Sequence, residues 1–227
     1  MEEADYSDTT VVIPVKDEPS VGMVAAQVLK ELPGCKVLIV YKNSDGKKPK
    51  IRKEVEERVT LLEQKGTGKG VACVQAASHV KTPIMCFIDG DMTYDAKDLK
   101  KLVELVRKGA KMAIGNRLVN LNRKAMSGTI EFGNKMLTIA GNVIYGLSLR
   151  DSQTGLRAIR KEAFDQMELK ETHFGIETEM NIKARKLDML VEEVPIHYYE
   201  RVGESKQPFK LVNGVRLFLV NFKFLSD

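Results

Sequence analysis

Two aspartates separated by one glycine are the strongest chemical signal in this chain. Asp89 and Asp91 follow the apolar run Ile84–Ile88, so a buried strand would end at a pair of carboxylates. Mg²⁺ and Mn²⁺ prefer oxygen ligands and keep coordination positions open for substrate phosphates, so one or two protein carboxylates can recruit them. Because Asp and Gly also commonly follow a strand as a turn, this pattern alone leaves both interpretations open.

A glycine-rich segment with one lysine, Gly66–Gly70, comes before that strand. It lacks the Gly-Lys-Ser/Thr ending and the full spacing of a nucleoside triphosphatase phosphate loop. As the start of a helix that carries Lys69, it could bind an anion or help to hold a nucleoside. A simple turn between a strand and a helix explains the glycines about equally well.

Several basic residues follow predicted strands or lie in a polar loop. Arg117 comes directly after a short apolar strand, and Arg201, Lys206 and Lys210 crowd one loop. Each residue taken alone is typical of a solvated surface charge. Taken together, they favour a phosphate clamp.

The histidines and cysteines exclude several other chemistries. His79, His173 and His197 are widely spaced and follow no zinc-ligand pattern, and only His173 remains a candidate pocket residue. The chain contains no Gly-x-Ser-x-Gly elbow and no Cys/His catalytic signature. Carboxylates, a metal ion and basic residues are therefore expected to carry the chemistry.

The first half of the chain alternates strand and helix patterns. Its predicted strands are Thr10–Val15, Val37–Tyr41, Val59–Leu62, Ile84–Ile88 and Met112–Asn116. The helices between them are predicted at Val21–Glu31, Lys48–Glu57, Val71–His79 and Ala96–Arg107. Such alternation predicts a mainly parallel sheet with helices on both faces, and right-handed crossovers then place the carboxyl ends of the strands on one rim.

The second half is more helical. From Arg117 to Asp151 one apolar face is predicted, made of Phe132, Met136, Ile139, Ala140, Val143 and Leu147. Strands are predicted at Gln153–Ile159 and Met189–Tyr199, and helices at Lys161–Met167, Glu177–Arg185 and Leu211–Leu225. Because no convincing linker interrupts the chain, we expect one domain over residues 1–227.

The composition restricts the environment and the partners. The chain has 43% hydrophobic and 30% charged residues, and its three cysteines lie in apolar segments, which predicts buried thiols in a reducing compartment. We expect a cytoplasmic, soluble protein because no signal core or membrane-length apolar run is present. The excess of 36 Lys and Arg over 31 Asp and Glu suits an anionic ligand or membrane surface. Nucleic acid is disfavoured by the absence of tryptophan and of a basic stripe.

An ordered set of segments resembles the family 2 glycosyltransferases. The set begins with Val12–Glu18, Gly68–Gly70, Phe87–Asp91 and Ile114–Arg117. It continues with segments similar to the polyprenyl-phosphate branch, typified by dolichol-phosphate mannose synthase: Asp151–Ala158, Ile176–Met180, Glu193–Ile196 and Arg201–Lys206. Each motif is weak alone, whereas the ordered set covers nearly the whole chain and is specific.

This resemblance implies an α/β GT-A fold with a mainly parallel central sheet flanked by helices. It implies a Rossmann-like, nucleotide-sugar-binding half over residues 1–117, an acceptor-binding half over 118–227, inversion at the anomeric carbon, and Mg²⁺ or Mn²⁺ held by Asp89 and Asp91. The residues implied as catalytic are Asp91, Arg117 and Asp151. Those implied in binding a nucleoside-diphosphate sugar are Pro14, Lys16, Glu18, Lys42, Lys69, Asp89, Gly90, Asp91, Arg117, Arg201 and Lys206.

The acceptor implied by the resemblance is a polyprenyl phosphate. Such an acceptor is already an anion, so it needs positioning by cations more than deprotonation by a base. A sugar or small-molecule hydroxyl would instead need a general base, for which Asp151 is the first candidate and Glu177 the second.

The chain departs from the family pattern at two places. Tyr41 and Lys42 stand where relatives usually have paired aspartates that contact the nucleoside, which leaves the nucleobase open. Glu131 stands where related sequences often have an arginine suited to the acceptor phosphate, a role that Arg123 or Lys124 could take. These departures keep an inactive nucleotide-sugar-binding protein as an alternative.

The final predicted helix is amphipathic and carries basic residues. Leu211–Leu225 has an apolar face together with Arg216 and Lys223. This pattern predicts peripheral contact with the cytoplasmic face of a membrane.

Overall fold

Within residues 4–119, 123–202 and 211–225, which the computed structural model describes, seven strands form one sheet. They are β1 (Thr9–Lys16), β2 (Lys36–Lys42), β3 (Val59–Glu63), β4 (Ile84–Phe87), β5 (Met112–Asn116), β6 (Arg157–Arg160) and β7 (Val191–Pro195). Their order across the sheet is β3-β2-β1-β4-β6-β5-β7. Strand β6 runs antiparallel to both of its neighbours, whereas all other neighbouring pairs are parallel. The expected mainly parallel sheet is confirmed.

Helices cover both faces of this sheet. They are α1 (Val21–Glu31), α2 (Lys69–Ala77), α3 (Leu99–Arg107), α4 (Gly128–Tyr145), α5 (Lys161–Gln166), α6 (Ile176–Lys186) and α7 (Leu211–Lys223). Short 3₁₀ helices occupy Lys53–Arg58 and Ala96–Asp98. The first of these stands in place of the longer charged helix predicted over Lys48–Glu57. The apolar residues Ile51 and Val55 of this segment are only partly buried against the core, which gives a longer helix little support.

Alternate residues of β1 point into two separate cores. Val11 and Ile13 lie in one apolar cluster with residues of α1 and α3. Val12 lies in the other, with residues of α2, α5 and α6. A strand that buries both faces has to be apolar at every position, and this is why the strand sequences read as continuous apolar runs.

The polar residues that follow the strands collect at one rim of the sheet. Parallel pairing places the ends of β1, β2, β4 and β5 on the same side. Because β6 is antiparallel, the residues that precede it, including Gly155, reach that same rim. Open α/β sheets bind their ligands at this edge.

Helix α4 is shorter than predicted, and its apolar stripe faces away from the protein. The Ser127 hydroxyl caps its first turn, and Gly146 ends it in the left-handed conformation at φ 66°. Four residues of the face predicted as apolar are exposed: Phe132, Met136, Ile139 and Val143. The buried residues of α4 are Leu137, Thr138 and Gly141, on the opposite side. Among the described helices, none is long and apolar enough to cross a membrane.

Candidate active site

The Asp89–Asp91 turn packs closely against the end of β1. A Cβ atom at Gly90 would lie 2.3 Å from Cγ1 of Val15, so only glycine permits this approach. The next residue, Met92, has φ 64°, a strained value of the kind that collects at functional sites. Thr93 fixes the second aspartate, because its backbone N–H and hydroxyl donate to Oδ1 of Asp91 at 3.2 and 2.6 Å.

Lys69, at the start of α2, bridges two carboxylates at this turn. Its Nζ lies 2.6 Å from Oδ1 of Asp89 and 2.7 Å from Oε1 of Glu177. Burial lowers the pKa of Lys69, but the two carboxylates outweigh that effect and hold it well above its usual value. The lysine is therefore a fixed positive charge beside Asp89.

Arg201 lies against the other side of the turn. Its guanidinium pairs with Glu18 and, through Nη1, lies 3.3 Å from Oδ2 of Asp91. Its Nε is buried and has no hydrogen-bond partner among the residues that the structure describes. The segment that carries Arg201 is held here because the N–H of Val202 donates to the carbonyl of Asp91 at 3.3 Å.

The side chains around the turn carry excess negative charge. Burial and then the neighbouring Asp89 carboxylate raise the pKa of Asp91, so the charged form is short of positive partners. Four carboxylates face two cations, which leaves a formal charge of −2 on Glu18, Asp89, Asp91, Glu177, Lys69 and Arg201. This set fits a divalent cation.

The protein supplies few ligands for such a cation. In the described part of the chain, no group of three or more His, Cys, Asp or Glu side chains is arranged to hold a metal ion. Asp89 and Asp91 would therefore hold Mg²⁺ or Mn²⁺ with help from oxygens of a substrate, which is how Mg²⁺ is usually bound beside phosphates.

A second carboxylate–cation pair, Arg117 with Asp151, differs from the first in being closed. Nε and Nη2 of Arg117 each lie 2.7 Å from a different oxygen of Asp151, and the backbone N–H of Arg117 donates to it at 3.0 Å. The side chains are 7% and 0% exposed. Burial lowers the pKa of Arg117, but Tyr94 and Asp151 raise it by more, so the pKa is held well above its usual value. The structure thus places these two predicted catalytic residues in one buried, balanced ion pair.

The segment before β6 brings backbone against the Asp89–Asp91 turn. A Cβ atom at Gly155 would lie 2.7 Å from Oδ2 of Asp89, and the Gly155 N–H donates to the hydroxyl of Tyr94 at 2.8 Å. The fully buried Arg157 holds this segment by donating to the carbonyls of Ser152 and Thr154 at 2.8 and 2.9 Å. Gly155 and Arg157 have no predicted role in the sequence pattern. Two sequence signals could have indicated their roles: a glycine just before a strand, and a charged arginine as the first residue of an otherwise apolar strand.

The glycines of the Gly66–Gly70 segment have a packing role. Cβ atoms at Gly68 and Gly70 would lie 2.1 Å from the carbonyl oxygen of Thr172 and 1.9 Å from that of Glu171. The glycines therefore allow the start of α2 to approach another loop, and Lys69 is the residue of this segment that reaches the carboxylates.

The remaining predicted donor-binding residues lie farther along the rim. Pro14 and Lys16 pair with Val40 and Lys42 across β1 and β2. The Nζ of Lys42 donates to the Gly66 carbonyl and to the Thr67 hydroxyl, so it ties the end of β2 to the glycine-rich loop. Lys206 lies outside the described residues. His173 is half-buried beside Gly68, and its Nδ1 lies 2.7 Å from the Thr172 hydroxyl.

Comparison with known proteins places this site in a family. The sequence profile of Glycosyl transferase family 2 matches residues 10–167. The chain is 36% identical over 146 residues to the glycosyltransferase AglJ of Haloferax volcanii, covering 64% of this chain and 48% of AglJ. It thus spans about half the length of that relative. It is 29% identical over 211 residues to a dolichyl-phosphate hexose transferase of the same organism, covering 92% of this chain and 91% of the relative.

Solved structures agree on the fold. The glucosyl-3-phosphoglycerate synthase of Mycobacterium tuberculosis, solved with Mn²⁺, UDP and phosphoglyceric acid, superposes with a TM-score of 0.70 at 13% identity. The match covers 96% of this chain and 78% of that protein. This likeness confirms the GT-A fold that the motif order implied. Because the family profile matches more than half of this chain, the chain belongs to glycosyl transferase family 2.

Proposed function

We propose that this protein is an inverting, metal-dependent glycosyltransferase that moves a hexose from a nucleoside-diphosphate sugar to a polyprenyl phosphate at the cytoplasmic face of a membrane. The observation that carries the proposal is the Asp89–Asp91 turn, where four carboxylates face two cations and leave an excess of two negative charges. A divalent metal with a diphosphate matches this distribution, because the metal neutralises the carboxylates and the cations meet the phosphates.

The residues of the site divide the work between the metal and the phosphates. Asp89 and Asp91 hold the metal, which when bound neutralises the charge that grows on the departing nucleoside diphosphate. Lys69 and Arg201 each pair with two carboxylates. When a metal neutralises Asp89 and Asp91, the two cations can donate hydrogen bonds to the diphosphate instead. The M. tuberculosis synthase of the same fold was solved with Mn²⁺ and UDP, which supports a divalent metal and a nucleoside diphosphate as ligands of this fold.

The acceptor assignment follows from the state of the two candidate bases. Asp151 is fully buried with both oxygens bound to Arg117, and Glu177 is paired with Lys69. An acceptor hydroxyl would need one of them to take its proton, whereas a phosphate acceptor is already charged. The similarity to the dolichyl-phosphate hexose transferase, over 92% of this chain, supports the same choice.

The donor pocket is assigned by position. We place the nucleoside beside Pro14, Lys16 and Lys42, where β1 and β2 end next to the glycine-rich loop. Glu18 contributes through its pairing with Arg201. A GDP-mannose or UDP-glucose type of donor is proposed for this pocket.

The test is the phase in which transferred sugar appears. Purified protein is incubated with radiolabelled GDP-mannose or UDP-glucose, Mn²⁺, and vesicles that contain a polyprenyl phosphate, with a chelator in a parallel sample. We expect label in the lipid phase and its loss with the chelator. Label only in an aqueous product would favour a hydroxyl acceptor, and binding of the donor without turnover would favour an inactive binding protein. Absence of metal-dependent donor binding would overturn both the metal site and the donor assignment.

A further inference from the structure

Helix α4 presents an apolar stripe to the outside of the molecule. Phe132, Met136, Ile139 and Val143 are 67%, 42%, 53% and 80% exposed. Their spacing places them on one side of the helix over roughly 16 Å of its length. Scattered exposed apolar residues are common on proteins, but a continuous stripe along one helix indicates an interaction surface.

Helix α7 lies beside α4 and extends the apolar surface. The Tyr145 hydroxyl of α4 donates to the carbonyl of Asn221 at 2.6 Å, and Val220 and Phe224 of α7 are buried in a cluster with Ile182 of α6. Apolar residues are exposed on α7 as well: Phe218, Leu219 and Phe222 in the helix and Leu225 just after it. Two adjacent helices thus turn apolar side chains outward.

The charges of these two segments are mostly positive. Residues 123–145 and 211–225 contain five basic residues and one acidic residue, Glu131. Arg123 and Lys124 are exposed just before α4, whereas the exposed Lys135 and Lys223 pair with Glu131 and Glu171 at 2.6 and 2.9 Å. Apolar stripes with basic borders are the pattern of helices that lie in the interface of an anionic bilayer.

The inner side of α4 is joined to the segment that carries Asp151. The Thr138 and Ser152 hydroxyls lie 2.9 Å apart, and the Ser152 N–H donates to Thr138 at 3.1 Å. Asn142 donates to and accepts from the backbone of Leu149 at 2.7 and 3.0 Å. One helix therefore faces the outside with its apolar stripe and holds the segment before β6 with its other side.

We propose that α4 and α7 together form a docking platform for an anionic bilayer, with the stripe of α4 as its principal element. The inference rests on the proposed function and deepens it, because a polyprenyl phosphate reaches the site from a membrane. A second copy of the chain is a poorer occupant of this surface, since two positively charged borders would face each other. Anionic headgroups complement the same borders.

Vesicle flotation tests the platform. The wild type is compared with the double variant F132S/V143S on vesicles of phosphatidylcholine with phosphatidylglycerol and on vesicles of phosphatidylcholine alone. We expect the wild type to float with the anionic vesicles and the double variant to bind them at least roughly tenfold more weakly, because two inserted apolar groups are lost. Raised salt should weaken the wild type's binding. The control is L190S, which replaces an exposed apolar residue directly before β7, at the end of that strand opposite the site; it should float like the wild type.

Activity separates this inference from the proposed function. The F132S/V143S variant should keep wild-type transfer to a water-soluble, short-chain polyprenyl phosphate and lose transfer to the same headgroup in vesicles. Wild-type transfer to both acceptors without flotation would overturn the platform alone. Flotation of F132S/V143S equal to that of the wild type would overturn it as well. Absence of transfer to every acceptor, with flotation intact, would count against the proposed function instead. A dimer in sedimentation that F132S/V143S converts to a monomer would assign the surface to a second copy and also overturn the platform.

Discussion

Two carboxylate–cation clusters lie at the same rim of the sheet, and they differ in balance and in access. Arg117 and Asp151 form a closed pair in which each charge has its partner and almost no surface is exposed. Around Asp91 the carboxylates outnumber the cations, and the side chains of Asp89 and Arg201 are 31% and 32% exposed. A balanced, buried pair holds the fold in place, whereas an unbalanced, accessible one has capacity for a ligand.

The largest expected effect of a substitution is on catalysis at the unbalanced cluster. Asp91→Asn keeps the shape and removes one of the two carboxylate charges proposed to bind the metal, so we expect transfer to fall by roughly 10³-fold, which is about 4 kcal/mol of transition-state stabilisation. Steady-state kinetics with saturating donor measures this loss. The matched control Asp45→Asn, at an exposed aspartate in a turn after β2, should retain full activity. Undiminished turnover by D91N would remove the metal site from the proposal.

The next effect is on stability, at the balanced cluster. Asp151→Ala leaves a buried guanidinium without its carboxylate, so the free energy of unfolding should fall by about 3–5 kcal/mol. The double variant R117M/D151L removes both charges and should recover most of that loss. Urea unfolding followed by circular dichroism compares the three proteins. A loss below about 1 kcal/mol for D151A would show that Arg117 is free to serve a ligand, as our sequence analysis expected.

An intermediate effect is expected at the contact of Gly155 with the Asp89–Asp91 turn, the proposed metal site. In Gly155→Ala the new methyl group would lie 2.7 Å from Oδ2 of Asp89, so this side chain has to move. We expect Mn²⁺ affinity to fall by roughly tenfold, read from the metal-dependent rise in Tm. Gly133→Ala is the control, since nothing lies within 4 Å of the new atom on α4. This control should gain about 0.5–1 kcal/mol in stability and keep its metal affinity.

The smallest effect is a pH dependence of metal-free stability. Because burial and Asp89 raise the pKa of Asp91, the folded protein binds this proton more tightly than the unfolded chain does. The stabilisation that protonation gives is fully present below the unfolded pKa and is lost as the pH rises through the folded pKa. D91N lacks this titration, so with a chelator present it should gain stability relative to the wild type between acid and neutral pH. A constant difference across that range would contradict the shifted pKa.

The sequence predicted the first half of the fold closely because its signals are local. The helix Val21–Glu31 and the strand Met112–Asn116 have the predicted bounds, and the other strands in this half agree within two residues. Each of these elements buries a continuous or periodic apolar pattern, and patterns of that kind are fixed by neighbouring residues. The Lys48–Glu57 helix was wrong because Ile51 and Val55, the apolar residues of that segment, are only partly buried and give a longer helix little support.

The second half was harder to predict because some of its apolar residues lie in the core and others are exposed on the surface. The stripe of Phe132, Met136, Ile139 and Val143 has the periodicity of a core face, yet it is exposed, and Leu137, Thr138 and Gly141 are buried instead. Periodicity gives the sides of a helix without saying which side meets the protein. The direction of β6 likewise depends on its pairing with β4 and β5.

The sequence by itself determined the alternation of strands and helices, the family, and the presence of Asp89 and Asp91 after a buried strand, since these depend on residue order and local periodicity. Only the tertiary structure decided which charged side chains form ion pairs with one another. It paired Arg117 with Asp151, placed Lys69 between Asp89 and Glu177, and brought Arg201 to Asp91 across more than a hundred residues of chain. Charge pairing depends on distances between residues far apart in sequence, and folding alone sets those distances.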